Sequence, residues 1–194
     1  GKSPLTGGIK EANSGTPFSQ MLAKLDVKAL ILEGKPENDK IWVIKLDKDG
    51  VTFEKADEYL GKGLYEAYPL AFNKYGKKVG IAGIGVSGEM KMTNAGVCFN
   101  DIDNRPSRYA GRGGLGAVMG SKGVKYIVLD DKGTQPIKPK DQALFNEGRK
   151  KLTDAITTND FTKKGGMLNS LGTAALVNVI NEAGGLPTRN FREG

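Results

Sequence analysis

Histidine is absent from this sequence, and cysteine occurs once, at Cys98. The first absence excludes Ser-His-Asp and Cys-His catalysis within the chain, along with HExxH and Cys₂His₂ zinc sites. A single thiol excludes an internal disulfide and cannot alone hold a structural zinc or an iron–sulfur cluster. No apolar run approaches the roughly 18 residues of a membrane span, and no signal-peptide pattern opens the chain. A soluble, cytoplasmic protein is expected, with no membrane partner. Aromatics are scarce at 7%, and Tyr109 alone falls among the basic residues from Arg105 to Lys125. Base stacking needs such rings, so a nucleic-acid partner is not expected despite a net charge of +7. Arginine, too, is missing from residues 1–100, where 14 lysines face 12 acids.

Glycine is what the sequence has in excess: 28 of 194 residues, about twice the usual share of roughly 7%. All six arginines follow Asn100, and no acid stands between Asp103 and Asp130, where Arg105, Arg108, Arg112, Lys122 and Lys125 fall. A glycine-rich, acid-free, cationic stretch points to an anionic ligand. Bare lysines alone would read as a solvated face; the interleaved glycines are what a solvated face does not need.

Residues Gly1–Gly8 read as a turn inside something larger. Phe18, Met21, Leu22 and Leu25 recur at helical spacing, with Pro17 near the first turn. Ala29–Glu33 has a short buried-strand pattern. Ile41–Leu46 and Val51–Lys55 read as a hairpin through Asp47–Gly50. Leu64–Tyr75 is helical in pattern, with Pro69 expected to kink or divide it. Lys78–Ile84, Ala95–Phe99 and Tyr126–Leu129 read as strands. Asp130–Pro139 has linker composition, and beyond it Asp141–Ile156 and Leu168–Ala183 are helical, ended by Gly184-Gly185 and Pro187. The fold class expected is α+β, with mixed or antiparallel sheets and packed helices over residues 1–136. An all-helical region begins over 137–194.

Two stretches match dinucleotide-fingerprint spacing. Gly83-Ile84-Gly85-Val86-Ser87-Gly88 follows a strand, with Asp101 or Asp103 about 20 residues on, where a ribose-binding acid belongs. The sequence after Gly88 is too broken for the long helix that the fingerprint requires, so a tight turn is the preferred reading; a nucleotide- or phosphate-binding module is the alternative. The second stretch, Gly111–Gly123, is read as following a loop and not a strand. It is not a P-loop either, since Ser121 separates Gly120 from Lys122. Its glycines would expose consecutive N–H groups, Arg108 and Arg112 add forks suited to phosphate, and Leu115–Met119 could open a short helix. A glycine-lined helix-packing seam would explain the same composition.

Arg108-Tyr109-Ala110-Gly111-Arg112-Gly113-Gly114-Leu115-Gly116-Ala117-Val118-Met119-Gly120-Ser121-Lys122 closely resembles the signature of the aldehyde:ferredoxin oxidoreductase family of tungsten enzymes. Three further blocks match in the family's order: Lys2–Gly8 with Asn13-Ser14-Gly15; Ile84-Gly85-Val86-Ser87-Gly88-Glu89; and Gly172-Thr173-Ala174-Ala175 with Leu186-Pro187-Thr188-Arg189-Asn190-Phe191. The resemblance spans nearly the whole chain.

The implications of the resemblance are specific. The N-terminal α+β domain of this family is a base for two molybdopterin-type cofactors, whose dithiolene sulfurs hold tungsten (or molybdenum) with no protein ligand. Magnesium joins the pterin phosphates. The positions that match the family's cofactor-binding residues are Asn13, Gly15, Arg108, Tyr109, Gly111 and Arg112, with Asn13 and Tyr109 offering backbone carbonyls to the magnesium. Tyr109 stands where the family commonly has a small residue, and Thr16 where a second glycine is usual. The [4Fe–4S] ligands and the acid/base residues of the family lie outside this segment, which implies a fragment with no catalytic residue of its own. The parent activity implied is oxidation of an aldehyde to a carboxylic acid, with electrons passing to ferredoxin. The tungsten subunit of an aromatic-ring reductase is a sister reading, and homo-oligomerisation is compatible with either.

Overall fold

The computed structural model describes every residue except Asn190, Phe191 and Gly194. Asn190 and Phe191, which close the fourth matching block, therefore lie outside the described residues. The chain divides into two compact units, Gly1–Ile137 and Lys138–Gly194.

The first unit is α+β, built on one six-stranded sheet. Its strands are β1 (Trp42–Asp47), β2 (Gly50–Lys55), β3 (Gly80–Gly83), β4 (Val97–Asn100), β5 (Pro106–Ala110) and β6 (Val124–Leu129), in the order β2-β1-β6-β3-β4-β5. Only β1 and β6 run parallel; the other neighbours are antiparallel. The sheet is therefore mixed. Cross-strand partners share a face, so register assigns Val43, Tyr126 and Cys98 to one side, and Ile44, Ala82, Ile127 and Phe99 to the other.

Helix α2 (Leu64–Tyr75) covers the first side with Ala67, Tyr68, Ala71 and Phe72. Tyr68 meets Tyr126 edge-on, with ring centroids 5.4 Å apart, a geometry that adds about 0.5–1.5 kcal/mol beyond area burial. Its hydroxyl donates to the Cys98 carbonyl at 2.8 Å. Helix α1 (Pro17–Lys24) covers the other side through Phe18, Met21 and Leu22, beside α4 (Leu115–Ser121) through Met119. Thr16 is the N-cap of α1, its hydroxyl accepting from the Phe18 N–H at 3.2 Å, and Pro17 follows where its missing N–H costs nothing. A threonine in place of a glycine thus has a local cause.

Pro69 does not divide α2. It sits on the solvent side of a helix whose opposite face is held by the core, and the helix runs through it. Ala29–Glu33 is not a strand: Leu32 alone packs inward, and Ile31 is 78% exposed. A short apolar run carries no information about whether a partner strand is at hand. The largest omission of the sequence reading is β5. Ser107, Arg108 and Tyr109 are all exposed there, so no period-two pattern marks this edge strand. Gly111 consequently follows a strand, not a loop.

The second unit holds α5 (Gln142–Thr158), α6 (Met167–Leu171) and α7 (Val177–Glu182). Asp141 caps α5 by accepting from the Leu144 N–H at 2.9 Å. The single helix expected over Leu168–Ala183 is broken at Gly172, whose φ of 60° lies in the left-handed region, and a 3₁₀ turn over Gly172–Leu176 joins the two pieces. Among the described residues this unit has no strand, only an isolated bridge between Thr188 and Glu193.

Candidate functional site

Strand β5 decides where the predicted residues point. Arg108 pairs with Phe99 and Tyr109 with Cys98, so the two neighbours leave the strand on opposite sides. Arg108 falls on the α1 side. There Gly15, Thr16, Asp103, Arg105 and Arg108 border an open depression of about 700 Å³ at the start of α1. Tyr109 lies on the α2 side, where partial burial, followed by the neighbouring Cys98, pushes its hydroxyl up to about 12. It stays neutral at physiological pH. The side chains of Arg108 and Tyr109 therefore do not share a site; any common ligand meets residue 109 through its backbone.

Past Ala110 the chain enters the glycine loop. Gly113 and Gly114 adopt φ values of 76° and 65°, a conformation open to glycine and costly for most other residues. A Cβ on Gly113 would stand 2.8 Å from Lys10 Cγ, which places the segment before α1 directly against the loop. The hydrogen bond from Lys10, then the residue's own backbone N–H, hold the Glu11 carboxyl below its usual range, with the charge of Arg112 adding least. So the two segments carrying the predicted residues approach each other at two places: Gly15 and Arg108 border one depression, and Lys10 lies against Gly113. Asn13 is exposed in the irregular stretch between them.

The glycines sort into two kinds. Gly114, Gly116 and Gly120 have structural causes: an added Cβ would lie 2.4 Å from Thr93 O, 2.4 Å from Gly96 O and 2.0 Å from Gly88 O, respectively. The packing seam anticipated as the alternative is therefore real for the back half of the motif. Gly15 and Gly111 have no such cause. A Cβ at either meets nothing within 4 Å, and neither has a positive φ. Arg105 is paired with Asp101 and Asp103, whereas Arg108 and Arg112, both exposed, make no hydrogen bond or ion pair among the described residues. Two open glycines and two unpaired guanidinium groups fit a phosphate-bearing ligand that approaches the backbone closely.

The other fingerprint is structural. A Cβ on Gly83 would strike the Tyr126 ring at 2.1 Å, and one on Gly88 would meet Ile84 at 2.6 Å. Gly85 leads into a single helical turn, α3 (Val86–Glu89), instead of the long helix a pyrophosphate needs. Asp101 is engaged elsewhere. It is buried and accepts from the backbone N–H groups of Arg105 and Asp103, from Ser107 Oγ and from Arg105 Nε. Those bonds, the Arg105 N–H foremost, lower its carboxyl to about 2. It shapes the β4–β5 turn.

Sequence reasoning overlooked a buried ion pair. Lys125 is fully buried and bonds Glu89 at the end of α3. A lone lysine inside the apolar run Val124-Lys125-Tyr126-Ile127-Val128-Leu129 was the available signal. Cys98 is fully buried, and no cluster of three or more metal-ligating side chains occurs among the described residues. Among the described residues, no helix is long and apolar enough to cross a membrane.

The family model for the aldehyde ferredoxin oxidoreductase N-terminal domain matches residues 1–131. The tungsten-containing aldehyde ferredoxin oxidoreductase of Pyrococcus horikoshii is 39% identical over 194 residues, which is all of this chain and 30% of that protein. The Pyrococcus furiosus protein of the same name is 40% identical over 196 residues, again with 100% and 30% covered. This chain thus spans about a third of the length of these relatives. Among solved structures, the active-site complex BamBC of benzoyl coenzyme A reductase superposes with a TM-score of 0.71 at 24% identity, over 80% of this chain and 22% of that one. That likeness concerns the fold.

Proposed function

Because the chain belongs to the aldehyde ferredoxin oxidoreductase family, we propose that it is the base on which the pterin cofactor of a tungsten oxidoreductase is held. The observation that carries this reading is the pair of glycines, Gly15 and Gly111, that neither packing nor backbone conformation requires. Beside them stand the two unpaired guanidinium groups.

In this reading, Arg108 and Arg112 bind anionic oxygens of the cofactor as planar forks. Gly15 and Gly111 let its phosphates come to the main chain, where N–H groups donate without an intervening side chain. Asn13 and Tyr109 would offer backbone carbonyl oxygens to a magnesium ion, while the phenol of Tyr109 stays on the side of β5 opposite Arg108. Cys98 is shut inside the α2 side, so this chain offers the tungsten no thiolate ligand, and the cofactor's own dithiolenes would hold the metal. When bound, the cofactor supplies two-electron redox chemistry, and the protein's share is position and charge.

Residues 1–136 form this base domain, and 137–194 begin a helical domain. The parent reaction is oxidation of an aldehyde with water to a carboxylic acid, electrons leaving through a [4Fe–4S] cluster to ferredoxin. Substrate contacts and cluster ligands come from other parts of the full-length protein. The test is Arg112→Ala in that full-length protein. Pterin and tungsten per folded chain should fall while the unfolding transition stays in place. Normal tungsten content in the variant removes Arg112 from the site and, with it, the reading.

A further inference from the structure

The Glu89–Lys125 pair lies outside the proposed cofactor site, and the geometry around it connects it to the glycine loop. Lys125 is the extra residue of a β-bulge: Trp42 pairs with Val124 and Val43 with Tyr126, leaving Lys125 unmatched in β6. The bulge turns Val124 to the α4 side and frees Lys125 to reach Glu89. The other carboxylate oxygen of Glu89 accepts from the Gly61 N–H at 2.9 Å. One carboxylate, its side chain 11% exposed, thus ties together β6, α3 and the loop before α2.

Directly after Glu89 comes Met90–Gly96, bound back to α3 by hydrogen bonds from Lys91 N–H to Gly88 O and from Met92 N–H to Ser87 O, both 2.9 Å. The glycine loop is seated on this segment. The Gly116 N–H donates to Ala95 O at 2.9 Å, Gly114 fits against Thr93 O, and a Cβ on Gly96 would lie 3.0 Å from Gly111 Cα. Gly120 closes against Gly88 itself.

We propose that Glu89 and Lys125 are positioning residues: their buried pair fixes the bed Met90–Gly96 and so sets the height and angle at which Gly111 and Arg112 face the cofactor. Stability does not account for the pair. A buried ion pair is often no better than an apolar pair of equal volume, while its geometry is directional. A bulge, a buried lysine and a carboxylate shared among three elements are what a registration device requires. The functional consequence rests on the proposed cofactor reading; the seating of the loop does not.

The experiment uses the full-length protein with K125M, the double variant E89Q/K125M, and R112A as control. K125M leaves the partly buried Glu89 without its cation, and should lower the unfolding midpoint. The double variant carries no buried charge and should recover that midpoint. Its cofactor content per folded chain should nevertheless stay down by about tenfold, the lower end of what loss of an outer-shell partner costs a bound metal. Hydrogen exchange should quicken at the Ala95 and Gly116 amides and remain slow at Ile44 and Val128 in the sheet. Exchange at Ala95 and Gly116 as in the unmodified protein overturns the proposal. So does quickening spread evenly over the sheet, or full cofactor content in the double variant. Full tungsten content in R112A overturns the cofactor reading instead, and the exchange pattern then still decides whether the pair seats the loop.

Discussion

Gly111 and Gly120 belong to one glycine-rich run, yet they are there for opposite reasons. At Gly120 a methyl group would stand 2.0 Å from the Gly88 carbonyl, and the residue is buried between two helices. At Gly111 a methyl group would meet nothing, and the residue faces solvent beside an unpaired Arg112. The back half of the run fastens α4 to α3 and to the segment after it. The front half is the open end that this fastening holds in place. Glycine content alone therefore does not mark a binding loop; the back half of this run is glycine because its backbone packs closely.

Adding a methyl group at each end tests this contrast most directly. Gly120→Ala should destabilise the first unit by roughly 1–3 kcal/mol, the usual range for overpacking. The ~1 kcal/mol that alanine gains over glycine inside a helix offsets only part of that. Urea unfolding of the variant checks it, and an unchanged midpoint would mean that the seam is looser than the backbone separation implies. Gly111→Ala should change the unfolding free energy by less than about 0.5 kcal/mol, as for surface positions without special contacts. In the full-length protein the same variant should lose bound pterin.

A second contrast sets Asp101 against the arginines beyond it. Asp101 is saturated with donors and structural; Arg108 and Arg112 are unpaired and turned outward. The folded-state pKa of Asp101, about 2, lies below its ordinary value of 3.8. A depressed carboxylate contributes stability that is fully present above the unfolded value and is lost as pH falls through the folded one. Stability should therefore decline between pH 3.8 and about 2, and Asp101→Asn should flatten that decline. Unfolding midpoints measured across this window test it; an unaltered slope would assign the acid sensitivity to other carboxylates. The smallest effect is expected at Tyr109. Its side chain lies on the α2 side, so Tyr109→Phe should leave pterin content unchanged, whereas a marked loss would show that the phenol, not the backbone, meets the cofactor.

Much of the fold was legible from local pattern. The β1–β2 hairpin, α1 with Pro17 at its start, α2, and the helices after the linker each announce themselves through periodicity or capping, which depend on residues close in sequence. Strand β5 was not legible. Its three central residues are exposed, and an edge strand with solvent on both sides has no alternation to display. Gly172 shows the converse: the apolar face of Leu168–Ala183 suggested one helix, and a single glycine in the left-handed region broke it. The candidate site divides along the same line. Gly111, Arg112 and Gly15 could be named from the sequence by resemblance, but not why each is a glycine or an arginine, since that depends on what stands within 4 Å.

The chemistry available to this protein is already set by its residue inventory. With no histidine and one cysteine this chain supplies neither a His/Cys zinc cage nor an iron–sulfur ligand set, and no imidazole for acid–base catalysis, while its arginines and glycines suit an anionic ligand. How that inventory is deployed was settled by tertiary contacts alone. Register in β4–β5 sent Arg108 and Tyr109 to opposite sides of one strand. Close backbone approach turned Gly116 and Gly120 into packing residues and left Gly111 open. A bulge in β6 brought Lys125 to Glu89. The last two join residues far apart along the chain, through interhelical packing and strand pairing, which no local spacing encodes.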